Sequence, residues 1–149
     1  MKTEIVTNID IDFCDTRYLT INAKQYDKQS RFILFSCHDN GKSVLFDPSK
    51  NYAYVRYRKP DYLGVFNECT ITKEGNILVE LTEQMLAVPG NCYADIFIIE
   101  NPKIEIEEGE IIEDLDKILA ARKGRIVSTM NFCVNVISTA LQNSEIESS

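Results

Sequence analysis

Tryptophan is absent from the 149 residues and histidine occurs once, at His38. The first absence removes the largest aromatic platform for a sugar ring. The second is joined by another: the five cysteines, Cys14, Cys37, Cys69, Cys92 and Cys133, form no C-x-x-C pair. That is a poor inventory for a zinc site, and no metal or other cofactor is expected. No phosphate-cradling glycine loop, G-x-S-x-G elbow or zinc signature occurs. No apolar run approaches the roughly 18 residues of a membrane helix, so membrane insertion is not expected. Positive charge is in deficit too, with 16 Lys and Arg against 23 Asp and Glu, a net charge of -7 and a pI near 4.8. A chain that repels phosphate as a whole is not expected to take nucleic acid as a partner.

What is present is β-rich. Candidate strands cover 3–13, 17–23, 30–37, 43–46, 51–59, 66–72, 76–81, 92–100 and 125–137. Turn signals separate them at Asp39-Asn40-Gly41, Asp47-Pro48, Lys59-Pro60-Asp61, Glu74-Gly75-Asn76 and Pro89-Gly90. Strands at this spacing, with no repeating helical crossovers, predict an all-β protein of antiparallel sheets packed as a sandwich or barrel, and the antiparallel β-sandwich is the expected form. The length fits one domain over 1–139, followed by a polar segment over 140–149. Cysteines inside apolar runs such as FILFSC and NFCVNV predict reduced, core-filling thiols, as in a protein made in the cytoplasm without a signal peptide.

Two segments depart from the strand pattern. Thr82 is a capping residue ahead of Glu83-Gln84-Met85-Leu86-Ala87, and Pro89-Gly90 ends the run, which predicts a short helical turn near 82–88. In GEIIEDLDKILAARKG, Ile111, Ile112, Leu115, Ile118 and Leu119 recur at helical spacing, with acids early and Arg122, Lys123 and Gly124 at the close. This predicts an inserted amphipathic helix near 111–123. Its apolar stripe, Ile111, Leu115, Ile118 and Leu119, is a candidate face toward a neighbouring subunit, because a helix this short must dock somewhere.

The stretch NYAYVRYRKPDYLG interleaves tyrosine with basic residues. With the two-residue period of a strand, Tyr52, Tyr54, Arg56 and Arg58 fall on one face and Ala53, Val55, Tyr57 and Lys59 on the other. The apolar members mark the core side. The other side is either sheet exterior covered by long amphipathic side chains or a protein-binding face, since Arg and Tyr are enriched at interfaces. Asp10 and Asp12 share a strand face, but no glycine-bearing calcium loop follows them. Cys37 and His38 are neighbours that a strand would point to opposite faces, which excludes a thiol–imidazole pair. No two carboxylates are positioned across a cleft by sequence, so no catalytic residue is assigned and enzymatic activity is not expected.

Several stretches taken together resemble the N-terminal domain of the upper baseplate protein family of tailed phages and prophages of Gram-positive bacteria. They are INAKQYDKQSRFILFSCHDNGK (21–42), AYVRYRKPDYLGVFNECTI (53–71), GNILVELTEQMLAVPGNCYADIFI (75–98) and STMNFCVNV (128–136), with ALQNSEIESS (140–149) similar to the polar exit of that domain. LTEQMLAVPG is the most specific piece. The resemblance implies a β-sandwich adaptor in the tail baseplate, assembled in the host cytoplasm. It would dock on the tail hub protein and other baseplate subunits, associate with itself, and support host-adhesion parts. Residues 101–124 exceed the connection expected in that family. A carbohydrate-binding β-sandwich module is the alternative, which the lack of tryptophan disfavours.

Overall fold

The computed structural model describes residues 4–15, 19–100, 109–111, 126–129 and 131–139. Among them there are eleven strands and no helix. The longest path of hydrogen-bonded strands starts at β1 (Ile5–Asp12), runs through β3 (Arg31–Asp39), β7 (Ile77–Glu80), β6 (Gly64–Ile71), β5 (Asn51–Arg58), β8 (Gly90–Glu100) and β11 (Phe132–Ile137), and ends at β2 (Leu19–Lys24). Three short strands add to this path: β4 (Lys42–Val44) on β3, β9 (Gly109–Ile111) on β6 and β10 (Ile126–Ser128) on β8.

The antiparallel sandwich expected from sequence is corrected to a mixed sheet curled into a half-barrel. Hairpins enforce antiparallel pairing at β3–β4, β5–β6 and β6–β7, but β1 pairs with β3 and β2 with β11 in parallel. The chain leaves β1, crosses to the opposite end of the sheet as β2 and returns as β3, so no hairpin joins the members of either parallel pair. The curl is visible in the core. Phe35 on β3 and Phe132 on β11 stand several strands apart in the order, yet their rings meet at 5.1 Å. Around them the concave face buries Ile11, Ile33, Val55, Ile77, Val79, Ile96 and Val134. These are the inward members of period-2 strands, and their removal from water is the main stabilising term.

Turn chemistry sets the registers. Asn40 and Gly41 have φ of 51° and 81°, and Asp39 pairs with Lys42 across them. Two consecutive positive φ values in a two-residue loop are the type I′ arrangement that matches strand twist. Gly75 has φ of 90°, and a side chain there would meet Leu45 Cβ at 2.9 Å and the Phe46 backbone at 3.0 Å. Both the conformation and the close approach require glycine.

The helical turn predicted near 82–88 is also corrected, whereas of the helix predicted near 111–123 only Ile111 lies among the described residues. Over 82–88 no helical turn forms: Thr82 Oγ1 accepts the Met85 N–H at 3.2 Å as a cap would, but only one i,i+4 bond follows, Leu86 N–H to Thr82 C=O at 3.1 Å. The segment is drawn away from a helix by outside partners. Its Met85 carbonyl accepts from the Tyr57 hydroxyl, its Leu86 carbonyl from the Tyr26 N–H and its Ala87 carbonyl from the Gln25 side chain. Near 111–123, Ile111 lies in β9 and pairs with Gly64, so sheet pairing claims the residue at which the helix was expected to begin. Leu115, Ile118 and Leu119 lie outside the described residues, as does 140–149.

The single strand expected over 125–137 is two. Ser128 pairs with Phe97 and Phe132 with Ala94, so the chain advances four positions on one side for three on the other. One extra residue is a bulge. Thr129 fills it by donating its N–H to the Ile96 carbonyl at 2.8 Å and accepting the Ile96 N–H on Oγ1 at 3.0 Å.

Candidate interaction surface

The β5 strand carries the candidate face, and the alternation read from sequence holds. Ala53, Val55, Tyr57 and Lys59 are buried on the concave side. Tyr57 donates its hydroxyl to the Met85 carbonyl at 2.8 Å, and burial raises its phenol well above the ordinary value. Lys59 keeps its ammonium 3.9 Å from Asp61.

The opposite face is less open than β5 alone suggests. Tyr54 is only 2% exposed, with its ring stacked near Phe66 at 5.2 Å and Phe97 at 5.3 Å. Phe66 and Phe97 stack in turn at 5.4 Å, and Ile99 and Tyr52 complete this second, smaller cluster. The Arg56 guanidinium lies 5.0 Å over the Phe97 ring and forms a bidentate pair with Asp95, its direct cross-strand partner, with Nε to Oδ1 at 2.8 Å. Cation–π and fork geometry hold Arg56 flat against the sheet. Tyr52 and Arg56 are thus half-buried, Tyr54 is interior, and Arg58 is exposed beside the half-exposed Tyr93 that it faces across the ladder. The Phe66 and Phe97 partners are invisible from β5 because they come from β6 and β8. Their signal was the outward position of a phenylalanine in each neighbouring strand.

At the other end of this face an open groove of about 320 Å³ is lined by Pro48, Asn51, Tyr52, Glu68 and Thr70, with Cys69 and Ile71 beneath. It presents one aromatic wall with amide, carboxylate and hydroxyl groups, a composition able to orient a polar ligand or peptide.

The Asp10 and Asp12 positions separate in role. Asp10 is exposed, 3.7 Å from His38 Nε2. Asp12 clasps the β3–β4 turn: its carboxylate accepts the N–H groups of Cys14 at 2.9 Å, Asn40 at 3.0 Å and Gly41 at 2.9 Å. The bonds from Cys14 and Gly41 hold its carboxyl below the usual value. Cys14 Sγ donates to Asp39 Oδ1 at 3.3 Å, so Asp12, Cys14 and Asp39 form the one close group of metal-ligand types among the described residues. The backbone bonds already occupy the Asp12 oxygens. Cys37 is buried, its thiol pushed up to about 11 by burial, while His38 points to the other side of β3. Cys69, Cys92 and Cys133 are buried as well, Cys14 is exposed, and no disulfide forms.

No family model and no curated protein matches the chain. Solved structures do. The N-terminal domain of phage TP901-1 ORF48 superposes with a TM-score of 0.62 at 12% identity, covering 88% of this chain and 97% of that one. A cysteine protease inhibitor of Entamoeba histolytica, EhICP2, reaches a TM-score of 0.38 at 11% identity over 89% and 97% of the two chains, too low to carry an inference. At 12% identity the likeness to the phage domain is one of fold, and it extends over nearly the whole of both chains.

Proposed function

We propose that the protein is a structural component of a phage or prophage tail baseplate, an adaptor that docks on the tail hub and supports host-adhesion parts. The observation that carries this reading is the fold shared with the N-terminal domain of phage TP901-1 ORF48 over 97% of that domain. The sequence stretches that resemble the upper baseplate protein family support it. The proposed mechanism is shape-complementary assembly rather than chemistry: copies arranged around a symmetric hub each make a modest contact, and avidity holds the ring. Arg58 and Tyr93, exposed on the convex side, and the groove at Tyr52 are the proposed docking features, since Arg and Tyr dominate protein interfaces. Immunogold labelling of particles carrying a tagged chain tests the location. Label at the tail tip supports the reading, and label on the capsid or none on intact particles contradicts it.

The groove favours a second reading, a module that binds cell-surface glycans. An aromatic wall with Asn51, Glu68 and Thr70 is chemistry that suits hydroxyl-rich ligands. Titration with cell-wall glycans decides between them: binding abolished by Tyr52→Ala and Glu68→Ala together would move the assignment to this reading.

A further inference from the structure

The outer edge of β1 is unlike the rest of the sheet. β1 ends the strand order, with β3 on one side and no described strand on the other. Its first half is bare on both faces: Ile5 is 46% and Val6 44% exposed, and Thr7 and Asn8 are exposed as well. Soluble proteins usually blunt such an edge with lysine, proline or a bulge. Ile5 to Ile9 contains none of these.

The hydrogen bonds fix which backbone groups face outward. Ile5 donates its N–H to the Ser30 carbonyl at 2.7 Å and Phe13 to the His38 carbonyl at 2.9 Å, so the odd-numbered residues turn toward β3. By the two-residue period, Val6, Asn8 and Asp10 turn their N–H and C=O groups away from the sheet.

We infer that the β1 edge is a self-pairing site, occupied by β1 of a second copy in antiparallel register about Asn8. Charge selects the direction. Parallel pairing would stack Asp10 and Asp12 on their own equivalents, whereas antiparallel pairing about Asn8 sets Asp10 against Val6 and leaves only Glu4 and Asp12 opposed at the ends. The register also matches chemistry to geometry. Val6, Asn8 and Asp10, the residues with outward backbone groups, become the hydrogen-bonded pairs, with Asn8 facing Asn8 on the two-fold axis. On the other face Ile5 meets Ile11 and Thr7 meets Ile9, so the overhanging Ile5 of one copy is covered by the core lip of the other. The inference rests on the edge alone and is independent of the baseplate reading.

The test is sedimentation equilibrium of the chain by itself, with no hub protein present. A reversible monomer–dimer equilibrium is expected. Asn8→Pro removes an outward N–H that β3 does not use, so it should leave the melting curve in place and weaken dimerisation at least tenfold. Asn8→Lys, which sets two ammonium groups on the axis, should do the same and replaces the proline variant if that one unfolds. The register has its own readout in a Cys14→Ser background. Thr7→Cys chains and Ile9→Cys chains should form a disulfide dimer on mixing and neither should do so alone, because a non-hydrogen-bonded pair brings Cα atoms to about 4.5 Å. A monomer at every concentration, an Asn8→Pro chain that dimerises like the parent, or no mixed disulfide would overturn the inference.

Discussion

Arg56 illustrates how one residue's role changes with its neighbours. On β5 alone it is a basic side chain on the outward face. Across the ladder it meets Asp95, and along the same face it lies over Phe97. The pair is largely shielded, with side-chain exposures of 26% and 17%. A double-mutant cycle with Arg56→Met and Asp95→Leu should therefore give a coupling of about 1–2 kcal/mol in urea unfolding, above the usual surface pair. Tyr54→Ala should cost about 3–5 kcal/mol, since its ring fills the stack of Phe66 and Phe97. A loss under 1 kcal/mol would show the face to be open. Asp12 supplies a pH signature. Its carboxyl is held below 3.8, chiefly by the Cys14 and Gly41 N–H groups. A depressed folded value means the stabilisation is present above the unfolded value and lost as pH falls through the folded one. Asp12→Asn should therefore lower the urea midpoint at pH 7 and flatten its decline below pH 3.8, the ordinary value. An unchanged slope of midpoint against pH would remove Asp12 from the turn.

At the scale of elements, the sequence was most legible where a period and a turn agreed. β3, β5 and β8 carry clear alternation bounded by Asp39-Asn40-Gly41, Lys59-Pro60-Asp61 and Pro89-Gly90. Their existence and inward faces follow directly. What local pattern misjudged is where outside partners compete for the backbone. The 82–88 segment has a capping threonine and apolar spacing, yet its carbonyls serve Tyr57, Tyr26 and Gln25 instead of a helix. Ile111 carries helical spacing but joins β6. The bulge at Thr129 is likewise set by β8 and has no signal within 125–137. Gly75 is a case in which the turn was read correctly and the packing was not visible. Gly75→Ala should destabilise by about 2–3 kcal/mol in thermal or urea unfolding, because a positive φ and a contact at 2.9 Å add. Gly41→Ala, with the same φ sign but open space, should cost about 1 kcal/mol. Equal losses would show that the approach of Leu45 and Phe46 contributes nothing.

For the whole molecule, all-β character and the concave core were legible from strand spacing, but sheet type was not. Hairpin signals speak only for neighbours in sequence, whereas β1–β3 and β2–β11 are joined through the full width of the sheet. The same limit hid the aromatic stack on the convex side, which three strands assemble. It leaves Arg58, Tyr93 and the Tyr52 groove as the open part of that face, and these are the features through which an adaptor would engage a hub. The most direct test is the light-scattering mass of the chain mixed with a candidate phage tail hub protein, set against each component alone. The account predicts a complex of defined stoichiometry that Arg58→Glu with Tyr93→Ala weakens while the fold persists; masses that remain those of the separate components at every ratio would contradict it.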